Sequence, residues 1–254
     1  MDNKNYTDKK FWDEYFEQYQ QNPIKVGGSF FSDIFDKYLK PDSNKSVLEI
    51  GCAGGNYLAY LAKTFGYKAS GIDYSEAITR TADLFKFNGL PEPTLYKKDF
   101  FSWKPNIKFD VVCSFGFVEH FDNLNNVIAR HANLVSPGGK IIITLPHFAH
   151  GQYLLHWLID KDNLKKHNTK IMNLNAIKKA VENNDLKIEF LSYYKTFGFW
   201  AENYQMSTTS RTINWLIKKM GKAVNKIFGY DRPNFLFSPH IVCVAKLSDN
   251  KKHL

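Results

Sequence analysis

The segment Ser46-Val-Leu-Glu-Ile-Gly-Cys-Ala-Gly-Gly-Asn56 decides the fold of this 254-residue chain. Its opening residues are mainly apolar and predict a short buried strand at Ser46–Ile50. The glycines then form a turn, and the apolar residues of Asn56–Phe65 recur at helical spacing. A glycine-rich turn between a strand and a helix lets the backbone approach a ligand closely and directs helix N–H groups toward it.

Strands and helices alternate along the chain from this segment to residue 145. Such alternation is typical of βαβ units, which build a parallel sheet with helices on both faces. Uniformly apolar strands fit a sheet that is buried on both sides. The predicted strands are Ala69–Ile72, Leu95–Lys97, Phe109–Ser114 and Lys140–Leu145, and the predicted helices between them are Ser75–Asn88 and Leu124–Leu134.

Both ends of the chain depart from this alternation. Near the N-terminus, residues 8–20 and 29–40 have the spacing of two amphipathic helices. Two late strands flank a long insertion, residues 196–238, and predict a hairpin-like sheet edge with an antiparallel last strand. The elements predicted in this part are the helix Asn173–Asn183, the strand Lys187–Tyr194, the basic helix Thr208–Phe228 and the strand Ile241–Leu247.

The glycine-rich turn distinguishes between two classes of ligand. A dinucleotide site requires G-x-G-x-x-G, and counting from Gly51 this pattern fails at Ala53 and at Asn56. The other pattern is an acid at the end of the strand followed by G-x-G-x-G. Glu49, Gly51 and Gly55 match it, and Ala53 stands in place of the middle glycine. A structural turn that binds no ligand is the remaining alternative.

Later motifs extend this match in order. Asp73 ends the second strand, Lys98-Asp99-Phe100 follows the third, and Glu119-His120 follows the fourth. The turn Pro137-Gly138-Gly139 precedes the fifth. Over residues 46–145 the chain resembles the class I methyltransferases that use S-adenosyl-L-methionine, of the small-molecule or glycan type. The resemblance implies a Rossmann-like, doubly wound, mostly parallel seven-stranded sheet with an antiparallel last strand.

The resemblance also implies which residues bind the cofactor. In that family the acid and turn after the first strand hold the methionine part, and the acid after the second strand accepts the ribose hydroxyls. Asp73 is also a candidate cap for the following helix, and Asp99 an ordinary loop residue. The predicted cofactor residues are Glu49, Gly51, Cys52, Ala53, Gly55, Asp73, Tyr74, Asp99, Phe100 and Ser114.

The catalytic candidates lie just beyond the fourth and fifth strands. His120 is the first candidate for a general base, with packing or capping of the next helix as its alternative. Glu119 is predicted to orient His120 or to face solvent, and His147 is an alternative base or an acceptor-binding residue.

No metal site is predicted. Some relatives bind a divalent metal through E-x-x-E-H, but the first acid position here is Gly116. The pair His147 and His150 lacks an identifiable third ligand. We expect His156 and His167 to be helix or loop residues.

The domain prediction is one methyltransferase domain over residues 1–254. Residues 1–40 are predicted to form a helical lid that carries Trp12, Tyr15 and Tyr19, although simple packing on the sheet edge is the alternative. Residues 41–145 form the cofactor-binding core, and residues 146–254 form the acceptor-side half.

The net charge of +9 permits an anionic partner without identifying one. The helix 208–228 has a plain amphipathic interpretation, with its basic face in solvent. It is also a candidate for peripheral contact with an anionic membrane, for covering a phosphorylated acceptor, or for contact with a second subunit. We expect a monomer or a homodimer. No apolar run reaches about 18 residues, no secretory signal is recognisable, and the three cysteines are expected to be reduced and buried, which predicts a cytoplasmic protein.

The predicted reaction is methyl transfer from S-adenosyl-L-methionine, with S-adenosyl-L-homocysteine as product. The acceptor is predicted to be a hydroxyl of a small polar molecule, such as a sugar, a sugar nucleotide or a surface-glycan precursor in polysaccharide biosynthesis. Alternatives are an N-methyltransferase of an amino sugar or natural product, a lipid or quinone methyltransferase, and a non-catalytic cofactor-binding subunit. The motif [DNS]-P-P-[YFW] is missing after Ser114, so no specific nucleic-acid partner is expected.

Overall fold

A seven-stranded sheet forms the centre of the computed structural model, which describes residues 5–18, 22–202 and 207–247. The spatial order of its strands is β3-β2-β1-β4-β5-β7-β6. Six strands run parallel, and β7 runs antiparallel to both β5 and β6. The strands are β1 (Ser46–Ile50), β2 (Lys68–Asp73), β3 (Thr94–Lys97), β4 (Phe109–Phe115), β5 (Val135–Pro146), β6 (Leu186–Tyr194) and β7 (His240–Leu247).

Helices cover both faces of this sheet. One face packs on α5 and α8, and the other packs on α2, α3 and α4. The α-helices are α1 (Lys9–Gln18), α2 (Ser32–Tyr38), α3 (Asn56–Phe65), α4 (Thr79–Phe87), α5 (Leu124–Leu134), α6 (His150–Ile159), α7 (Lys161–Lys165), α8 (Leu174–Glu182) and α9 (Thr208–Phe228).

The predicted architecture is confirmed, including the hairpin-like edge formed by β6 and β7. Successive residues of β1 alternate between the two cores, since Val47 belongs to one and Leu48 to the other. The three cysteines are buried and unpaired. Among the described residues, no helix combines the length and the apolarity that crossing a bilayer requires. Tyr19, one of the residues assigned to the predicted lid, lies outside the described residues.

Three regions of the chain differ from the sequence prediction. The helix expected at Ser75–Asn88 begins as a 3₁₀ turn, Glu76–Ile78, and becomes α-helical only at Thr79. Strand β5 begins at Val135, because the Pro137-Gly138-Gly139 turn lies within it as a bulged segment opposite Phe109. Helices α6 and α7 occupy a region, residues 146–172, whose mixture of histidines and aromatics has no clear period.

His131 is a buried titratable residue in the core below β4. Its Nδ1 lies 2.8 Å from the Val127 carbonyl oxygen, and its Nε2 lies 3.1 Å from Ser114 Oγ. Burial lowers the pKa of His131 to about 4. The ring is therefore neutral in the folded chain at neutral pH, with the Nδ1 proton donated to the carbonyl.

We expect His131 to make folding sensitive to acid. Its ordinary pKa of about 6.5 applies in the unfolded chain, so protons favour unfolding between pH 6.5 and pH 4. The neutral His131 therefore contributes its full stability to the folded state above pH 6.5, and this contribution is lost as the pH falls toward 4. Over this interval His131→Phe should reduce the pH slope of the unfolding free energy by up to about 1.4 kcal/mol per pH unit. Urea unfolding at several pH values measures this, with the exposed His150→Asn as control. An unchanged slope in His131→Phe would contradict the prediction.

Candidate functional site

The carboxyl ends of β1, β2 and β4 meet at one edge of the sheet, because β1 pairs in parallel with both β2 and β4. Two adjoining cavities open at this edge. The cofactor cavity, named for the predicted cofactor residues in its wall, has a volume of about 270 Å³ and lies over β1 and β2. The second cavity, called the acceptor cavity after the predicted acceptor-side half of the chain, has a volume of about 230 Å³ and lies over the ends of β4 and β5.

Six of the ten predicted cofactor residues line the cofactor cavity. They come from the turn after β1, the end of β2 and the loop after β3. The structure adds aromatic walls that the motifs did not indicate, among them Phe16, Phe101 and Phe117. The six residues are Gly51, Ala53, Asp73, Tyr74, Asp99 and Phe100.

Asp73 ties the turn after β1 to the end of β2. Its Oδ2 accepts a hydrogen bond of 3.1 Å from the Ala53 amide, and its Oδ1 accepts one of 2.8 Å from the Ser75 amide. The second contact is the local bond that the helix-cap interpretation expected, so Asp73 has a structural role as well as a place in the cavity wall. Burial raises the pKa of this carboxyl above its ordinary value.

The backbone of the turn requires glycine at two positions. Gly51 has φ +74°, and a Cβ there would lie 2.8 Å from Cδ2 of Phe117. Gly55 has φ +66°, and a Cβ there would lie 2.5 Å from Cγ2 of Thr81. Left-handed φ values and these close approaches both exclude larger residues. Ala53, at the middle position of the motif, needs no such conformation and lines the cavity.

Four predicted cofactor residues lie behind the wall rather than in it. Gly55 precedes α3, and the carbonyl of Cys52 accepts hydrogen bonds from Gly55 and Thr81. The Ser114 hydroxyl bonds to His131 inside the core. The prediction of direct cofactor contact is therefore not met by the side chains of Cys52 and Ser114.

Glu49 is the fourth of these residues. It is only 4% exposed, its Oε2 has no hydrogen-bond partner, and burial raises its pKa to about 8. It supports the turn from below and does not line the cofactor cavity.

Helix α1 lies across both cavities. Trp12 and Tyr15 line each of them, as do Phe115, Gly116 and His120. The helix is held by contacts with the chain after β2, because Asp13 accepts a 2.8 Å hydrogen bond from the Glu76 amide. This position fits the lid predicted for residues 1–40.

His120 stands at the junction of the two cavities. Its Nδ1 lies 2.9 Å from the Lys166 carbonyl oxygen, and its ring meets Trp12 edge-on at 5.1 Å. The Gly116 carbonyl also lies near the ring, and burial lowers the pKa of His120 to about 4. The ring is therefore neutral, with its Nε2 lone pair available, but it is a weaker base than an ordinary histidine.

Glu119 does not orient His120 through a hydrogen bond. The closest approach is 3.8 Å, between Glu119 Oε1 and His120 Nε2, and Glu119 is only 1% exposed. The Lys166 carbonyl has the orienting position instead. The interpretation of Glu119 as a solvent-facing residue is therefore wrong, and no hydrogen bond to His120 supports its orienting role.

Two other histidines differ from their predicted positions: His147 lies outside both cavities, and His167 lines the acceptor cavity. His147 is fully buried, its Nδ1 lies 2.9 Å from the Ser238 carbonyl oxygen, and it lines neither cavity. The prediction of His147 as a base or acceptor-binding residue is therefore not supported. His167, predicted as a helix or loop residue, lines the acceptor cavity with its ring 4.7 Å from that of His120.

Residues 16–191 match the model of a family described as a methyltransferase domain. The match covers more than half of the chain, and the chain belongs to this family, within the class I S-adenosylmethionine-dependent methyltransferases. The predicted family and its cofactor are thereby confirmed. The comparisons do not confirm the small-molecule or glycan subtype.

Curated relatives match parts of the chain. A ubiquinone biosynthesis O-methyltransferase of Thiobacillus denitrificans is 32% identical over 118 residues, which are 45% of this chain and 50% of that protein. A Hydrogenovibrio crunogenus protein of the same name is 26% identical over 160 residues, 61% of this chain and 63% of that protein. The chain thus spans less than two thirds of the length of these relatives.

Solved structures share the fold. The magnesium protoporphyrin IX methyltransferase of Synechocystis, solved with S-adenosylhomocysteine, superposes with a TM-score of 0.57 at 14% identity. The superposition covers 94% of this chain and 97% of that chain. A phosphoethanolamine N-methyltransferase of Haemonchus contortus has a TM-score of 0.58 at 16% identity, over 92% of this chain and 56% of that chain.

The residues of the cofactor cavity fit S-adenosylmethionine. Each oxygen of Asp73 accepts one backbone hydrogen bond, which leaves lone pairs for two ribose hydroxyls. Phe100 and Tyr74 supply aromatic surface for adenine, and Asp99 lies in the same wall. The glycine turn allows the cofactor to approach the backbone at Gly51.

We expect Asp73→Ala to weaken binding of S-adenosylmethionine at least about tenfold, because hydrogen bonds to a charged group are lost. Part of the effect comes from loosening the turn at Ala53. Calorimetric titration measures the affinity, and the exposed Asp83→Ala on α4 serves as control. Equal affinities for the two variants would remove Asp73 from the site.

Proposed function

We propose that this protein transfers the methyl group of S-adenosylmethionine to a hydroxyl oxygen of a compact, polar, ring-shaped acceptor bound in the acceptor cavity. The single observation that carries the proposal is the shared wall of the two cavities. Phe115, Gly116 and His120 line both, so a methyl group at the inner end of one cavity faces a ligand in the other. Methyl transfer to a hydroxyl requires this in-line arrangement and the exclusion of water.

The sulfonium of the cofactor supplies the methyl group and the leaving group. The protein supplies position and desolvation. Trp12 and Tyr15 cover the junction between the cavities, and Gly116 leaves it open because it has no side chain. The neutral His120 presents Nε2 as an acceptor for the proton that the hydroxyl loses. Its lowered pKa makes His120 a weak proton acceptor. Efficient transfer therefore also requires a group that lowers the pKa of the hydroxyl.

Polar and aromatic groups in the acceptor cavity support a sugar or sugar-derived acceptor. Lys166 Nζ lies 3.8 Å from Glu202 Oε2, and this pair stands beside the buried Glu119 in the cavity wall. Trp200 stacks on His240 with ring centroids 5.0 Å apart and offers a flat apolar surface. A pyranose presents hydroxyls to such charged groups and a C–H face to such a ring.

We expect His120→Gln to lower kcat at least about hundredfold while the affinity for S-adenosylhomocysteine stays within about threefold, as for the loss of a group acting in proton transfer. His147→Gln, which changes a histidine outside both cavities, is the matched control. The assay uses S-adenosylmethionine labelled in its methyl group with a fractionated extract as the source of acceptors. Label in polar sugars or glycan supports the leading acceptor class. Full turnover in His120→Gln would exclude its role.

An aromatic hydroxyl on a lipid-soluble molecule is the second candidate. The names of the relatives support it, and so does an exposed apolar surface on α6 and α9. Helix α9 is anchored along one side, where Gly221 packs closely on Phe197 and Asn225 donates a 3.0 Å hydrogen bond to the Phe197 carbonyl. Beside this anchored side, large apolar side chains remain open to solvent: Leu216, Met220 and Ile227 on α9, and Tyr153, Leu154, Trp157 and Leu158 on α6.

Cations accompany this α6–α9 surface. Lys219 lies 4.5 Å from the centre of the Trp215 ring, and Lys161 lies 4.3 Å from that of Trp157. Paired lysines and aromatic rings next to exposed aliphatic side chains suit the interface of an anionic bilayer. We therefore propose that this surface contacts a membrane from which a lipid-soluble acceptor would be drawn.

We expect the protein to sediment with vesicles of mixed phosphatidylcholine and phosphatidylglycerol, and less with pure phosphatidylcholine. The double variant Leu216→Glu/Ile227→Glu should weaken this binding at least about tenfold, because two apolar contacts are replaced by repelled charges. Phe87→Glu, at an exposed apolar position on α4, is the control. Equal sedimentation of the three proteins would exclude the membrane surface.

A further inference from the structure

Three buried side chains that can bind a metal ion converge in the acceptor cavity. Glu119 is 1% exposed, His120 is 5% exposed and His167 is 8% exposed. One acceptor atom from each lies within 4.8 Å of those of the other two. The Oε2 of Glu119 is buried and has no hydrogen-bond partner. A buried carboxylate without a donor is costly, and it requires either its own proton or a cation.

Hydrogen bonds to backbone carbonyls fix both histidine rings and leave one nitrogen lone pair on each ring. His120 Nδ1 lies 2.9 Å from the Lys166 carbonyl oxygen, and His167 Nδ1 lies 2.6 Å from the Asn163 carbonyl oxygen. A carbonyl only accepts, so each Nδ1 carries the proton and each Nε2 is left with a lone pair. Metal-binding histidines are oriented in this way, with one ring nitrogen donating to a backbone carbonyl.

A hydrogen bond inside the cluster does not explain the arrangement. Glu119 Oε1 lies 3.8 Å from His120 Nε2, which is beyond hydrogen-bond distance. Three ligands at about 2.0–2.2 Å from one tetrahedral metal ion lie about 3.3–3.6 Å apart. The three atoms lie within 4.8 Å of one another, so the side chains would close by up to about 1.5 Å around a shared ion.

The backbone holds the two halves of the cluster together. The Asn168 amide donates a 2.7 Å hydrogen bond to the Glu119 carbonyl, and Asn168 Nδ2 donates one of 3.0 Å to the Phe121 carbonyl. With the Lys166–His120 contact, these bonds clamp residues 166–168 to residues 119–121. The donor atoms are therefore preorganised, which reduces the entropy that binding an ion would cost.

We propose that Glu119, His120 and His167 bind one divalent first-row transition-metal ion, such as Mn²⁺, Fe²⁺, Co²⁺ or Zn²⁺. Two imidazoles and one carboxylate favour these ions over Mg²⁺ and Ca²⁺, which prefer oxygen ligands. The site differs from the E-x-x-E-H pattern considered in the sequence, because Gly116 replaces its first acid. The third donor comes instead from His167, beyond α7.

The ion would leave coordination positions open toward the acceptor cavity, since the described part of the chain supplies three ligands. Resting on the proposed function, the inference extends it: a hydroxyl oxygen of the acceptor would occupy an open position, and its pKa would fall. With the ion bound, His120 Nε2 would be a ligand and would not accept the proton, which would pass to the Glu202 carboxylate or to water in the same cavity. The acceptor class is then a ring with a hydroxyl and a neighbouring oxygen, which can share the ion.

Metal binding is tested directly, without turnover. The full-length protein is treated with chelator, dialysed and titrated with Co²⁺, with Mg²⁺ as a separate titration. We expect one equivalent of Co²⁺ to bind, with visible d–d absorption bands and an affinity at least about hundredfold above that for Mg²⁺. Glu119→Gln and His167→Gln should each weaken Co²⁺ binding at least about tenfold. The exposed His150→Asn is the control and should bind as the wild type does.

Affinity for S-adenosylhomocysteine verifies that each variant is folded, since none of the changed residues lines the cofactor cavity. Failure of the folded wild-type protein to bind Co²⁺, or equal binding by wild type and both cluster variants, would overturn the proposal. The labelled-methyl assay separates it from the proposed function. Transfer that is unaffected by chelator leaves the methyltransferase intact and refutes the metal. Stoichiometric Co²⁺ binding that the cluster variants lose supports the metal, whatever the acceptor is.

Discussion

The position of β1 between β2 and β4 is the constraint on which the rest of the site depends. Because all three strands run parallel, their carboxyl ends lie at one edge of the sheet, and each end places different residues there. The turn after β1 supplies close backbone approach, and Asp73 at the end of β2 holds this turn through the Ala53 amide. The chain after β4 carries Gly116 and His120, which line both cavities.

The two cavities of the site are built in different ways. The cofactor cavity is built from consecutive βα units, and its hydrogen bonds are mainly local. The acceptor cavity depends on contacts between distant segments, such as Asn168 with Glu119 and Phe121. Three residues that line the acceptor cavity, Trp200, Glu202 and His240, lie beyond the family match over residues 16–191.

Burial is the common physical influence on the ionisable groups of the site. It raises the pKa of Glu49 and Glu119 to about 8 and lowers that of His120 to about 4. Such a site disfavours charge until a charged ligand arrives. A sulfonium in the cofactor cavity, or the proposed divalent ion beside Glu119, would supply positive charge to this environment. The uncharged state of the buried histidines in turn keeps their lone pairs free for binding.

The sequence alone determined the layered fold, the sheet edge and the motif residues of the cofactor wall. Those features follow from local patterns, since apolar strands, a glycine turn and an acid at a strand end are set within a few residues of one another. Only the tertiary structure decided the acceptor side. His167 meets Glu119 because helices α6 and α7, which have no clear period in the sequence, return the chain to the end of β4. His147 leaves the site because it turns away beside Pro146 and Phe148, both of which line the acceptor cavity. Contacts between distant segments depend on packing, and no local pattern encodes them.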